Sequence, residues 1–513
     1  LQYFFGVICT PPILSFFQDK HASRHAATDN RCHTDVLFRR RSPDNAMMEI
    51  EKEHADYRRE KRTLQMYRHL YSGGFGFKEH AANYLLRRHK EPLDVYAERL
   101  SRVFYENYIG SIIDWYGSTL FRREPSLHFE DNSDLSQQFL AHFVDDCDRR
   151  GTTLSDFFRQ TLLDALVAGR SHILIDFPRT SKPVANRAEE DAAGISRGYL
   201  VRYQAEDVIN WSRDERGDYE WLVLRQTSKQ QRSVDSPSVV EETWWRYYDK
   251  SEYRIYRRIH SGEEPGSIQL IAKGPHALAT QQRVPIFTLE LSEGLQLMSK
   301  AAHLQLEHFN KSNSLGWAIT MGLFAMPVIY SDREWNQIVG ESYYIQLGTS
   351  DRFGWTEPDG KVYQIAAANL ETLKEEIYRV CYLSQASGEV TSGRAQSAAS
   401  KQMDFTITQE VLRAYGAAIK NCIRKVITAI SEARQDDVAV SITGLDEVDI
   451  SDFTSELANA ASLLSLGIQS PTLKREICQR LALKYLNDAR QETKDQIARE
   501  IQAQYVNEGE EKQ

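Results

Sequence analysis

Cysteine is scarce and scattered. The chain of 513 residues carries six, Cys9, Cys32, Cys147, Cys381, Cys422 and Cys478, and no two lie within ten residues of each other. That spacing excludes a CxxC motif and a small disulfide framework, and it points to a reducing compartment. HExxH, GxSxG and metal-spaced Cys/His clusters are also missing, so the common signatures of zinc proteases and serine hydrolases do not apply. Long apolar runs are missing too. The best candidate, Leu315–Tyr330, is shorter than the roughly 18–20 residues a spanning helix needs and is broken by Pro327. It reads as a packed helix end running into a strand, so no membrane partner is expected. Positive charge is not in excess: 63 Lys and Arg face 72 Asp and Glu, for a net charge of −9. A sequence-specific DNA binder is usually basic, so any nucleic-acid contact should be loose.

The remaining near-motifs have blander readings. "GWTEPDGK" (Gly354–Lys361) has five residues between its glycines and Val362 where a phosphate loop has Ser or Thr. "YSGGFGF" (Tyr71–Phe77) follows a helical stretch, so it reads as a turn rather than a dinucleotide loop. His303 and His308 are five apart, the wrong spacing for one helical face, and read as ordinary surface or interface histidines. Glu371, Glu375 and Glu376 read as a solvated helix face. Trp244 and Trp245 are adjacent in a strand-like run, so one should enter the core and the other face outward. The Asn-x-Ser at Asn310 reads as chance. No enzyme, cofactor or metal site is expected from these patterns.

What is present is a soluble balance, 41% hydrophobic and 26% charged, long enough for two or three core-bearing units. The chain begins at Leu1, with an apolar stretch that lacks a basic n-region and a small-residue cleavage site. Met47 and Met48 precede a charged helical stretch. Translation is expected to start there, with residues 1–46 an extension or poorly ordered. Residues 47–170 read as helical, with Tyr96, Leu100, Val103, Phe104, Ile109, Ile112 and Ile113 near one stripe. The stretch "TLSDFFRQTLLDALVAGR" has Thr153 or Ser155 as an N-cap and Gly169 as a C-terminal stop. Residues 171–290 alternate aromatic and β-branched residues with charges, as antiparallel strands do, with a hairpin turn at 213–220.

Helix returns over about 292–324. Two strands, "PVIYS" and "YYIQLGT", flank a short helix, "DREWNQIVG", before the turn-rich "SDRFGWTEPDGK". A helix is expected from near Asn369, with Leu370, Leu373, Ile377, Val380 and Ser384 as its stripe. Ser384–Thr406 then reads as a loop of Ser, Gly and Ala. The longest helix follows, with Val411, Leu412, Tyr415, Ile419, Cys422, Ile423, Val426, Ile427 and Ile430 on one face. "VAVSITG" is one more strand. Near the C-terminus, Ser470 and Pro471 open a helix whose apolar side carries Leu473, Ile477, Leu481 and Tyr485.

This order of segments resembles the portal proteins of tailed bacteriophages, the head-to-tail connectors. "LLDALVAGRSHILIDFP" resembles their helix-to-strand entry into the wing. "LSEGLQLMSKAAHLQLEHFNKSNSLGWAITMGLFAMPVIY" is similar to the stem helix running to the clip, and "NLETLKEEIYRVCYLSQASGEVTSGRAQSAASKQMDF" to the second stem helix, tunnel loop and long wing helix. "LLSLGIQSPTLKREICQRL" resembles the crown-side helices. The resemblance spans about residues 50–505 and rests on the ordered set, with no single invariant motif.

The resemblance implies an α+β, portal-like fold with a helical wing, stem and crown, a mostly antiparallel β wing unit and a small α/β clip. Its parts would be a helical N-terminal wing part (47–170), a β-rich wing part (171–290), a stem helix (291–326), the clip (327–361), a second stem helix (362–386), the tunnel loop (387–400), the long wing helix (401–435), a crown-side region (436–505) and a tail (506–513). It implies a homo-oligomeric ring, usually a dodecamer, in the virion at one capsid vertex, assembled in the host bacterial cytoplasm. Double-stranded DNA would pass non-specifically through its channel, with no catalysis by the ring. The implied partners are the terminase large subunit, a head-tail adaptor, and the major capsid or scaffolding protein.

In the implied tunnel loop, Ser387, Gly388, Glu389, Val390, Thr391, Ser392, Gly393 and Arg394 would line the channel. Arg394 is the loop's one full positive charge and Glu389 its one negative charge. A solvent-exposed Arg394, or a plain surface loop, is the competing reading. In the clip, Asp332, Arg333, Glu334 and Trp335 would face the motor or adaptor, unless Trp335 packs only on a neighbouring subunit. The two clip strands are too few to stand alone, so pairing across subunits is expected. Two alternatives stay open: another virion structural protein, such as a minor capsid or head-completion component, and a metal-dependent nuclease using the acidic helix around Glu375.

Overall fold

The first helix, α1 (Ala55–Ser72), turns into α2 (Gly74–His80) through Gly73 and Gly74, both at positive φ, where Cβ-bearing residues are strained. The computed structural model describes residues 50–122, 124–130, 134–178, 197–233, 236–261, 264–322, 326–331, 349–356, 360–383, 398–436, 438–445, 453–465, 470–486, 493 and 496–503. Next come α3 (Leu93–Ser101) and α4 (Tyr108–Leu120). The single stripe expected across this region is split by a non-helical stretch at 102–107: Val103 is buried while Phe104 is 44% exposed. The wholly helical reading of 47–170 is also corrected. Strand β1 (Ser126–Glu130) interrupts it before α5 (Asp134–Asp145).

Helix α6 (Leu154–Ala168) forms as its sequence dictates. The Thr153 hydroxyl accepts from the Asp156 amide, and Gly169 closes the helix in the left-handed region. Most of α6 is buried, which suits the central helix of the main core. It leads into β2 (Arg170–Asp176), the middle strand of an antiparallel sheet with β3 (Tyr199–Gln204) on one side. Three strands then follow in hairpin succession, β4 (Val208–Arg213), β5 (Tyr219–Ser233) and β6 (Ser236–Asp249). The expected turn between β4 and β5 is there: the Asp214 carboxylate accepts from the Arg216 and Asp218 amides, and Gly217 has φ 84°. Strand β7 (Glu252–Ser261) pairs with β6, with the two-residue β8 (Glu264–Pro265) and with β9 (Gln269–Pro275). Strand β10 (Ile286–Glu290) returns to complete the sheet β10–β2–β3.

The alternation of strand residues places the layers. Ile173, Ile175, Leu200, Phe287 and Leu289 of the three-stranded sheet join the helical core with α6. Their neighbours Leu174, Tyr203 and Ile286 turn the other way, onto Leu222, Leu224, Tyr248 and Tyr253 of the larger sheet. That sheet's second face carries Val223, Trp245 and Tyr256, closed by Ile50 and Tyr57. Trp245 is buried and Trp244 half-buried, as their adjacency required. Arg257 lies over Trp244 and Arg258 over Trp245, each 5.3 Å from the ring centroid.

Beyond the sheets, α7 (Leu297–Gly322) runs to β11 (Met326–Tyr330), and β12 (Arg352–Thr356) leads into α8 (Gly360–Val380). No helix among the described residues is long and apolar enough to cross a membrane. Two expectations change here. The turn-rich stretch contains a strand, and α8 begins at Gly360, well before Asn369. The longest helix, α9 (Ala398–Arg434), also starts inside the expected loop, so residues 398–400 are helical. All nine residues of its expected apolar face are buried. Strand β13 (Ala439–Thr443) pairs antiparallel with β1, more than 300 residues earlier in the chain. Helices α10 (Phe453–Ser465) and α11 (Pro471–Tyr485) follow, α11 capped by Ser470 with Pro471 at its first turn. The expected apolar side of α11 is only half covered, and Tyr485 is 71% exposed. Taken together, the architecture mixes helix with antiparallel sheet, consistent with the α+β class.

Candidate functional site

Helices α7 and α8 form an antiparallel pair. The Tyr363 hydroxyl donates to the Ala318 carbonyl at 3.3 Å, and Lys311 donates to the Asn369 side chain at 2.9 Å, so advancing along one helix retreats along the other. Strands β11 and β12 pair with each other within the chain, from Met326 opposite Thr356 to Tyr330 opposite Arg352. This corrects the expectation for "PVIYS", which has a partner in its own chain. Apolar side chains near the far end of the pair remain exposed: Ile319 at 41%, Val362 at 63%, Ile365 at 70% and Tyr330 at 65%.

The root of the hairpin is fixed by carboxamides. Segment 84–109 supplies backbone groups that have no sheet or helix partner, and such groups must be paired when buried. Gln305 donates to the Glu106 carbonyl at 2.7 Å and accepts from the Ile109 amide at 3.3 Å. Asn310 accepts from the Leu86 amide at 2.8 Å and donates to the Tyr84 carbonyl at 3.1 Å. Asn313 binds both the amide and the carbonyl of Phe104, at 3.1 and 2.9 Å. Each amide side chain offers a donor and an acceptor, so each can satisfy two backbone groups at once. The Asn310 side chain is thus occupied as a clamp.

A second set of contacts secures the chain where α8 ends. Tyr382 sits at φ 61°. Its hydroxyl donates to the Gly294 carbonyl at 2.7 Å, Lys300 meets that hydroxyl and lies 4.2 Å from the ring centroid, and the Thr408 hydroxyl of α9 donates to the Tyr382 carbonyl at 2.6 Å. Tyr116 donates to the Cys381 carbonyl at 2.7 Å, and Tyr415 to the Leu295 carbonyl at 2.6 Å. The Tyr116 and Tyr415 rings meet edge to face at 5.6 Å. Burial pushes both hydroxyls well above the usual tyrosine range and the Cys381 thiol up to about 12, so all three stay protonated at neutral pH. Four segments therefore converge on residues 381–383, immediately before the expected loop. Thr408→Val keeps the side-chain shape and removes one of these bonds. It should cost about 1–3 kcal/mol, because the Tyr382 carbonyl loses its donor. Increased amide exchange in residues 378–383 would be the readout, and unchanged exchange would contradict it.

The expected site residues themselves, Ser387–Arg394 in the loop and Asp332–Trp335 in the clip, lie outside the described residues, as do Ser384 and most of "YYIQLGT". The structure places what holds them: β11 and β12 bracket the clip segment, and Leu383 and Ala398 bracket the loop. Of the residues weighed for chemistry, Glu371 pairs with Lys374 at 2.9 Å and Glu376 with Arg379, on an exposed face. Among the described residues no group of three His, Cys, Asp or Glu is placed to hold a metal ion. His303 is exposed, but His308 is buried within the chain, contrary to the surface-or-interface reading. Sequence reasoning missed the roles of Gln305, Asn310, Asn313, Thr408 and Tyr382. The available signal for the first three was amide side chains recurring at spacings of five and three along one helix.

No family model matches this chain, and no curated protein matches it. Solved structures are similar in part. A chain from the neck of an empty gene transfer agent particle, computed with C6 symmetry, matches with a TM-score of 0.41 and 12% identity, covering 72% of this chain and 90% of that one. A chain of the native gene transfer agent virion gives 0.37 and 11%, covering 77% and 96%. One from the native particle's neck, computed with C12 symmetry, gives 0.32 and 11%, covering 71% and 87%.

Proposed function

We propose that this chain is the ring-forming subunit of a phage-type portal, a structural protein of the virion that conducts double-stranded DNA and catalyses nothing itself. The observation that carries the reading is the α7–β11–β12–α8 hairpin, whose base at residues 381–383 is held by four segments. A two-stranded sheet is marginal by itself. At the far end of a helical pair with exposed Ile319, Val362 and Ile365, it needs further neighbours. Copies arranged in a closed ring supply them, because a heterologous contact repeats until it closes. The ordered resemblance of the sequence segments supports the same reading.

In this proposal the ring is a dodecamer at one capsid vertex, assembled in the host cytoplasm. The segment between β11 and β12, with Asp332, Arg333, Glu334 and Trp335, docks the terminase large subunit and later the head-tail adaptor; the outer parts meet capsid or scaffolding protein. Residues 387–397 line the channel. Their small side chains and two glycines allow many backbone states, while Tyr382 and α9 hold the ends of the loop. With a net charge of −9, the chain suits a conduit that DNA slides through, since many phosphate contacts would retain the duplex.

Negative-stain electron microscopy of the protein from Met47 onward tests the ring. Rings with a central hole, twelvefold in most images, are expected. Compact monomers or dimers, stable across concentration and salt, would overturn the proposal. Deleting 387–397 leaves the start of α9 intact and separates assembly from conduction. Rings of normal shape with few filled heads are expected, and normal packaging would remove the loop's assigned role.

A further inference from the structure

His308 sits at the root of the α7–α8 hairpin, 2% exposed, where three segments meet. Its Nε2 faces Glu106 Oε2 at 3.5 Å. The same carboxylate oxygen accepts the Tyr108 hydroxyl at 2.6 Å, and the Tyr108 ring stands edge-on to the imidazole at 5.0 Å. His308 Nδ1 is buried and has no hydrogen-bond partner among the described residues. From α8, Glu371 and Lys374 face the site but pair with each other, and Tyr378 lies 6.3 Å from Tyr108. On α7 itself, Glu307 and Lys311 also pair, at 3.0 Å.

We propose that His308 is a proton-operated latch: its neutral ring closes the junction of α7, α8 and the segment carrying Glu106 and Tyr108, and its protonation opens that junction. The geometry assigns the direction. With its proton on Nε2, the neutral ring points its one N–H toward Glu106 and leaves an empty acceptor at Nδ1. A second proton places an N–H at Nδ1, where no acceptor waits among the described residues, and puts a full charge in a buried site. Glu106 offsets this only in part, because it is 46% exposed and already bonded to Tyr108. The paired Glu371–Lys374 and Glu307–Lys311 contribute little net field. Burial therefore wins over the carboxylates and holds the His308 pKa below its ordinary value. A histidine whose pKa is depressed in the closed state stabilises closure above its ordinary pKa, and that stability is lost as pH falls below it. Residues 377–383, which lead into the loop, would loosen on acidification.

Amide hydrogen exchange of the full chain at pH 7.5 and 5.0, corrected for intrinsic rates, tests the latch. Peptides covering 104–110 and 370–383 should lose protection measurably at the lower pH, because the open junction takes up the proton more readily than the closed one. His308→Gln keeps a neutral donor toward Glu106 and should make protection in these peptides equal at the two pH values. Unchanged wild-type protection, or the same acid loss in H308Q, would overturn the proposal. Should H308Q not fold, the histidine Cε1 resonance of the wild type decides: titration at or above the ordinary histidine value contradicts the latch, and titration below it supports it. Neither readout requires ring formation, so the latch and the portal reading fail separately.

Discussion

Glu91→Ala should lower the unfolding free energy by about 3–5 kcal/mol, the usual cost of leaving one buried charge without its partner. Glu91 and Arg99 form a two-pronged pair, Nε to Oε1 at 3.0 Å and Nη2 to Oε2 at 2.9 Å, with side chains only 3% and 2% exposed. The carboxylate also accepts the Arg88 amide at 3.0 Å, and Arg99 donates to the Leu86 carbonyl at 2.7 Å. Arg99 would thus keep a single carbonyl partner for a buried guanidinium. Segment 84–104, which Asn310 and Asn313 hold against α7, would lose its internal brace. The measurement is the urea midpoint of the purified chain. A double change, Glu91→Leu with Arg99→Met, should recover most of the loss, because an apolar pair of similar volume avoids desolvating two ions. A double variant as unstable as E91A would show that the charges themselves are required. Because Arg99 holds the Glu91 carboxyl below the usual carboxylate range, the pair's contribution should be complete above the ordinary carboxylate pKa and be lost progressively as pH falls from there through the lowered value.

Gly416→Ala should destabilise the chain by about 1–3 kcal/mol, as forced overpacking does. Helix preference alone argues the reverse, since alanine in a helix interior is favoured over glycine by about 1 kcal/mol. The structure decides the sign. A Cβ built on Gly416 would lie 1.9 Å from the Leu445 carbonyl oxygen and 2.8 Å from its carbon, both backbone atoms. Leu445 itself, in the turn after β13, is 5% exposed and packed in the main core, so its backbone has little room to retreat. The displaced turn would pull on the β1–β13 ladder, and amides of residues 439–443 should exchange faster. A more stable G416A would refute this account.

Much of the fold was legible where the signal is short-range. Thr153 and Gly169 bracket α6 because a cap needs only a few neighbouring residues. The buried face of α9 follows from its 3.6-residue period, and the Trp244–Trp245 pair from strand alternation. β1 escaped because a five-residue strand acquires its identity from a partner more than 300 residues away. The early start of α8 escaped because Gly360–Asn369 has only a thin apolar stripe, and residues such as Tyr363 show their role only once α7 lies alongside. The groups that hold the hairpin root were not legible: Asn310 looked like a chance sequon and His308 like a surface or interface residue.

The sequence by itself determined most of the helices and strands and their order, because periodicity, caps and turns are written within a few residues. Only the tertiary structure decided which polar groups lose water and which partners they gain. Gln305, Asn313, Thr408 and Glu91 matter through carbonyls, amides and charges contributed by distant segments, and a buried hydrogen bond has no local signature. Desolvation depends on everything packed around a group, so its outcome appears only when the chain has folded.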